Sequence, residues 1–289
     1  MDFENSFEEQ SAQDSEFELD LLIQTIFHRY QYDFSGYSRA SLKRRLIRAC
    51  EIRGCASFSQ LQHTILHDTP PFDSLLDIIT VRVSDLFRDP HYFKAFRELV
   101  VPQLRTYPSI NLWVAGCATG EEAISLAIIL REEGLESRST IYATDINANV
   151  LKQAKRGVYT FEQIKNFSEN YLAAGGTHSL SDYYTTGYNA AKMNRDLLDR
   201  IVFSEHNLVS DGSFAEMQFI SCRNVLIYFG VELQARAIAL FEESLCRRGF
   251  LGLGSKESLQ RVPQNQRFVC LDQTQKLYQK GGVVDHGRV

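Results

Sequence analysis

Hydrophobic positions along the chain fall into two regimes. Between residues 18 and 80 they recur three and four apart, the spacing of helices with one buried face. Leu19, Leu22, Ile23 and Ile26 form the first such set, and Leu42, Leu46, Ala49 and Cys50 the second. Two shorter sets cover Phe58–Ile65 and Phe72–Ile79. Ser41 reads as the N-cap of the second helix and Gly54 as its stop. No strand-like run precedes about residue 110, so residues 18–80 predict a small all-helical domain.

Beyond that point apolar runs alternate with helical patterns. Ile110–Gly116, Ser139–Ile146, Ala215–Cys222 and Gly249–Gly254 read as strands. Glu121–Glu133, Asn147–Arg156 and Val231–Arg247 read as helices, and "RFVCLDQTQKLYQK" as a strand pair around a polar turn. Strand–helix alternation predicts an α/β fold, a doubly wound, mostly parallel sheet. Residues 181–206 interrupt it and predict a small antiparallel β insertion. The domain plan is therefore an acidic, disordered tail (1–17), the helical domain (18–80), a linker (81–92), the α/β domain (93–280) and a short tail (281–289).

Composition narrows the function classes. The 289 residues carry a formal charge of −5, which argues against a general nucleic-acid binder. The six cysteines (Cys50, Cys55, Cys117, Cys222, Cys246, Cys270) contain no CxxC pair, so neither a metal site nor a disulfide framework is expected. No signal-like leader or membrane-length apolar run is present, and a cytoplasmic location is the expectation.

The chemistry concentrates in "WVAGCATGEEAISLAI", Trp113–Ile128. Gly116 and Gly120 fall at the first strand-to-helix turn, where open α/β sheets bind ligands and where a missing Cβ lets backbone come close. Their G-x-x-x-G spacing differs from the dinucleotide G-x-G-x-x-G. Glu121 and Glu122 at the helix start would repel a pyrophosphate but suit an ammonium or sulfonium group. Asp145 ends the second strand, where an acid commonly takes both ribose hydroxyls. Adenosine with a cationic tail points to S-adenosylmethionine. The plain alternative is an ordinary turn with acids at the positive end of a helix.

Five segments, in order across about residues 18–280, resemble the CheR-type chemoreceptor glutamate methyltransferases. They are "DFSGYSRASLKRRLIRACEIRG", "ITVRVSDLFRDPHYF", "WVAGCATGEEAISLA", "ATDINANVLKQAKRGVY" and the pair "HNL" with "SCRNVLIYF". The resemblance implies a protein-glutamate O-methyltransferase that forms glutamyl methyl esters on a receptor's glutamate-rich helices. It implies cofactor contacts from Arg82, Ser84, Arg88, Gly116, Gly120, Glu121, Asp145, Asn207, Leu208, Arg223 and Asn224, with Arg88 and Tyr228 nearest the reacting methyl. Plainer readings are an Arg88–Asp89 ion pair at a helix start and Tyr228 as a core aromatic. Departures stand at Arg82 (family Asn), Ala123-Ile124 (family Pro-Tyr) and Ser255-Lys256-Glu257 (family His-Ser-Glu).

Lys43, Arg44, Arg45, Arg48 and Arg53 crowd one helix of an otherwise acidic chain. In the family this helix is implied to dock on the receptor, while a solvated basic face is the plain reading. A receptor C-terminal tether on the 181–206 insertion is a further partner implied for some members, although Gly187 and Asn189 weaken a strand there. No nucleic acid partner, no membrane insertion and a monomer are expected. The alternatives are a non-catalytic S-adenosylmethionine-binding signalling module and a methyltransferase on another acceptor.

Overall fold

The computed structural model describes residues 2–68, 72–80, 84–187 and 189–281, with side chains from Ser15 onward. The chain divides into two compact units, Met1–Val81 with Tyr228–Leu233, and Arg82–Ile227 with Gln234–Val289.

The first unit is built on α1 (Asp2–Tyr30), α2 (Arg39–Arg53), α3 (Phe58–His67) and α4 (Phe72–Ile79). Leu19, Leu22 and Ile26 of α1 pack with Leu46 and Ala49 of α2, Leu61 and Ile65 of α3, and Ile79 of α4. Each such fully buried Leu or Ile contributes about 1.5–3 kcal/mol. Two details differ from the sequence reading. Helix α1 runs through the stretch expected to be a disordered tail, and Glu16 within it pairs with Arg39 and Lys43 of α2. Helix α2 starts one turn early, with Ser38 rather than Ser41 at its N-cap position. Gly54 stops it as expected, in a left-handed conformation (φ +68°) that a residue with Cβ adopts only at a cost.

A return of the chain completes this unit, and nothing in the hydrophobic pattern announces it. Ser38 N donates to Tyr228 O (2.7 Å) and Gly230 N to Gly36 O (2.7 Å), with Tyr37 bridged to Phe229. The Tyr228 ring lies 4.2 Å below the Arg45 guanidinium.

The second unit begins with α5 (Pro90–Ala95), which continues through a π-helical stretch (Phe96–Val100) into α6 (Val101–Leu104). Then come β1 (Ile110–Ala115), α7 (Glu121–Glu132), β2 (Ser139–Asp145), α8 (Ala148–Arg156), β3 (Val158–Thr160) and α9 (Phe161–Ala173). They are followed by β4 (Tyr184–Gly187), β5 (Ala190–Met193), α10 (Arg195–Leu198), β6 (Ile201–Glu205) and β7 (Met217–Cys222). Helix α11 (Val231–Ser244), β8 (Leu245–Leu253), β9 (Phe268–Asp272) and β10 (Leu277–Lys280) end it. The main sheet has the order β6-β2-β1-β7-β8-β10-β9. Its first five strands are parallel, and β10 and β9 add antiparallel. Strand β1 is apolar at every position but Asn111 because both its faces are covered, which is the usual condition of a parallel strand.

The insertion is a three-stranded antiparallel sheet, β3-β5-β4. It draws its outer strand from Val158–Thr160, well before residue 181, and it ends at Met193. Ile201–Glu205, assigned to the insertion from sequence, is instead the parallel edge strand β6 beside β2. Only five residues long, with alternating burial, β6 lacks the continuous apolar run that marked the other parallel strands.

Candidate functional site

Strand order reverses around β1: β2 follows on one side and β7 lies on the other. The crevice beyond the carboxyl ends of such strands is where open α/β sheets take ligands. The turn after β1 carries three left-handed residues, Gly116 (φ +77°), Ala118 (φ +48°) and Gly120 (φ +91°). Gly116 N and Cys117 N both donate to Thr144 O, at 2.8 and 2.9 Å. The glycines serve packing as well as conformation. A Cβ on Gly116 would lie 2.4 Å from Val225 Cγ2, and one on Gly120 would lie 2.9 Å from Ala154 Cβ. A side chain at either position would therefore meet Val225 or Ala154.

The two glutamates of the turn part company. Glu122 pairs with Arg223 (3.0 Å). Glu121 is buried, accepts from the Thr119 hydroxyl (2.7 Å) and pairs with no described cation. Burial pushes its carboxyl up to about 7, with only partial relief from Thr119. A buried carboxylate facing no cation is a natural seat for a ligand ammonium.

Asp145 ends β2 with both oxygens already engaged. Ala118 N donates to Oδ2 (3.0 Å) and Asn147 N to Oδ1 (3.0 Å). Burial raises its pKa against these hydrogen bonds. The carboxylate thus ties the glycine turn to β2 and keeps further lone pairs for a diol. After β6, Asn207 caps its own loop, with its Oδ1 accepting from Val209 N (2.9 Å), and Leu208 is buried beside it.

Arg88 sits between two strained residues, Phe87 (φ +53°) and Asp89 (φ +58°). Phe87 N donates to Ser125 Oγ of α7 (2.8 Å), and the Phe87 ring packs on Phe93 and Tyr171. The half-buried Arg88 guanidinium makes no hydrogen bond or ion pair to any described residue. Asp89, its expected partner in the plain reading, binds Arg223 instead (2.7 Å). Ser84 is half-buried nearby in sequence, and Arg82 lies outside the described residues.

Arg223 differs most from its expected part. Its side chain is 2% exposed, donates to Glu122, Asp89 and the Arg88 carbonyl oxygen (3.0 Å), and lies 4.0 Å over the Tyr92 ring. Tyr92 in turn hydrogen-bonds Ser221 (2.8 Å). Through these contacts Arg223 holds the Arg88 segment. Asn224 follows in a left-handed turn (φ +61°). Tyr228 is grouped with Arg45 and Ser38 in the helical unit.

The sequence reading missed Asp89 and Glu122 as Arg223 partners, and Glu257 as the acceptor of the Asn224 and Val225 amides. Long sequence separation hides such pairs. Glu257 did leave a signal, as the one residue retained from the His-Ser-Glu pattern.

Of the five basic residues expected to dock on a receptor, three are tied down. Arg45 donates to Ile79 O, Lys43 pairs with Glu16, and Arg53 donates to Ser74 Oγ (2.7 Å). Arg48 is exposed and meets Glu51 (2.9 Å), and Arg44 is exposed with no described partner.

A mostly parallel sheet with a glycine turn after its first strand, an acid ending the second and a buried glutamate with no described cation partner points to the class: an S-adenosylmethionine-dependent methyltransferase. Comparison with known proteins agrees. Residues 82–277 match the SAM binding domain of CheR methyltransferases, and residues 18–80 match their all-alpha domain. The chain belongs to the CheR methyltransferase family. It is 49% identical to Cher3 of Pseudomonas putida over 93% of this chain and 99% of that one. It is 29% identical to the chemotaxis protein methyltransferase of Listeria monocytogenes, over 78% of this chain and 84% of that one. It is 24% identical to that of Escherichia coli, over 88% and 87%. No helix among the described residues is long and apolar enough to cross a membrane.

Proposed function

We propose that the chain transfers a methyl group from S-adenosylmethionine to glutamate side chains of a chemoreceptor-type protein, forming glutamyl methyl esters. The observation that carries this reading is the half-buried Arg88 guanidinium with no described protein partner. A fixed cation of that kind can hold an acceptor carboxylate by charge-assisted hydrogen bonds. The names of the Listeria and Escherichia relatives support a role in chemotaxis.

The chemistry asks little more of the protein. A glutamate side chain is ionised near neutrality, since its ordinary pKa is about 4.3, so it needs no general base. The cofactor supplies an electrophilic methyl group on a sulfonium. Attack neutralises charge, and alignment in a dry site accounts for most of the acceleration available. Arg88 would orient the acceptor carboxylate. Glu121 and Asp145 would hold the amino and ribose ends of the cofactor, Asn207 and Leu208 would line the adenine, and Asn224 would close the pocket near the methyl donor.

Transfer of labelled methyl to purified receptor, with nucleic acid and no acceptor as parallel arms, tests this. Base-labile label on the receptor alone is the expected result. Label on nucleic acid would assign another acceptor, and cofactor binding without any transfer would make the chain a signalling module.

A further inference from the structure

Glu257 is 4% exposed and faces no described cation. Its carboxylate instead gathers backbone N–H groups from two loops. Oε2 accepts from Gly254 N (2.6 Å) and Asn224 N (3.1 Å), and Oε1 accepts from Val225 N (2.9 Å) and Ile227 N (3.3 Å). Gly254 follows the end of β8, and Asn224–Ile227 follow the end of β7. A ring of amides around one anion is a backbone nest, here filled by the protein's own carboxylate.

The geometry leaves no substitute. A Cβ on Gly254 would stand 2.7 Å from Glu257 Oε2 and 2.9 Å from Asn224 N. Asn224 is left-handed (φ +61°), a conformation that needs outside support in a residue with Cβ. Val225 of the same turn fills the space over Gly116, so the turn also abuts the glycine loop after β1. One buried carboxyl group therefore joins the carboxyl ends of β7 and β8, and through Val225 that of β1, the other neighbour of β7. An ionised carboxylate can accept all of these bonds. A glutamine would turn an N–H₂ donor toward two of the donors and leave buried amides unsatisfied.

We propose that Glu257 is a positioning residue for the cofactor pocket: its ionised side chain locks the turn 224–227 in the form that presents Asn224 and seats Val225 on Gly116. The inference rests on the assignment of that turn and the glycine loop to the S-adenosylmethionine site.

The test uses the full chain and three variants, Glu257→Gln, Glu257→Asp and Asp145→Ala. S-adenosylhomocysteine affinity is read by calorimetry, and kcat and KM for S-adenosylmethionine by methyl transfer. Glu257→Gln, folded by circular dichroism, should lose about tenfold or more in affinity and raise KM by a similar factor, with a smaller change in kcat. Glu257→Asp keeps the charge and should recover part of that loss. Wild-type affinity in folded Glu257→Gln overturns the proposal, and so do equal losses in both variants, which would make volume rather than charge the requirement. Should Glu257→Gln fail to fold, hydrogen exchange of the wild type decides: protected Asn224, Val225 and Ile227 amides support it, and exchange at the rate of an open loop overturns it. Normal binding by Asp145→Ala overturns the pocket assignment and this inference with it. A defect in Asp145→Ala beside normal Glu257→Gln overturns this inference alone.

Discussion

Arg223 Nη2 lies 3.0 Å from the Arg88 carbonyl oxygen, so one buried guanidinium holds the backbone that presents another. The same nitrogen lies 2.7 Å from Asp89 Oδ2, and Arg223 Nη1 lies 3.0 Å from Glu122 Oε2. The arrangement separates two jobs that sequence alone assigned to one pocket. Arg223 is a strut whose two terminal nitrogens are held by protein acceptors, and Arg88 is the cation without a described partner.

That separation predicts opposite phenotypes. Arg88→Ala should leave folding stability within ~0.5 kcal/mol of wild type, because no described group loses a partner. It should cut single-turnover methyl transfer at saturating cofactor about 10²-fold, as expected for a lost charged contact of ~3 kcal/mol. A near-wild-type rate would remove Arg88 from the reacting centre.

Arg223→Ala should do the reverse in emphasis. It strands Glu122 and Asp89 beside a vacated buried site, and breaking such a pair typically costs about 3–5 kcal/mol. Urea denaturation reads that loss directly. Arg223→Lys should recover only part of it, since an ammonium cannot match a planar guanidinium that spans three acceptors and stacks on Tyr92. Full recovery by lysine would show that charge alone matters there.

Much of this was legible beforehand because it is local. Periodicity marks the helices of the first unit and the apolar strands β1 and β7, and the glycine turn and Asp145 follow from their places at strand ends. What stayed hidden is non-local. Strand β6 lacks a buried run, and β3 joins its sheet across the whole of α9. Asp89 and Arg223 are 134 residues apart, and Glu257 and Asn224 are 33 apart, so no spacing rule links them. Low-complexity acidity also misled. The sequence around Glu16 reads as solvent-loving, yet the partners that order it lie on α2.

Glu121 predicts a pH signature. Its carboxyl titrates near 7 when folded, against an ordinary 4.5. The folded protein therefore keeps a proton that the unfolded chain releases. Stability tied to this residue is full below the unfolded value and is lost as pH rises toward the folded one, by up to ~3 kcal/mol. Glu121→Gln should remove that loss and be more stable than wild type at about pH 8. It should also bind S-adenosylhomocysteine more weakly, because the ligand ammonium loses its carboxylate. Thermal melts at two pH values and calorimetry check both halves. Unchanged stability at the higher pH would mean the burial penalty is relieved by water.

The proposed docking surface can be tested more sharply than a basic patch usually allows, because its charges are not equivalent. Arg44 and Arg48 are exposed on α2, four residues apart, and so project together. Arg45, between them in sequence, is turned inward, where it donates to Ile79 O and stacks on Tyr228. Arg44→Glu with Arg48→Glu should therefore cut receptor methylation sharply while leaving cofactor affinity unchanged, with a stability cost of about 1 kcal/mol or less from the lost Arg48–Glu51 pair. Arg45→Ala should instead destabilise the helical unit, because it leaves the Ile79 carbonyl without that donor and removes a cation–π contact of about 0.5–2 kcal/mol. Salt adds an independent reading. Attraction between exposed charges is screened over roughly 8 Å at physiological ionic strength, so the wild-type rate should fall as salt rises and the double variant should respond far less. If Arg44→Glu with Arg48→Glu methylates receptor normally and keeps the wild-type salt response, the exposed face of α2 is only a solvated surface, and the receptor must be held elsewhere.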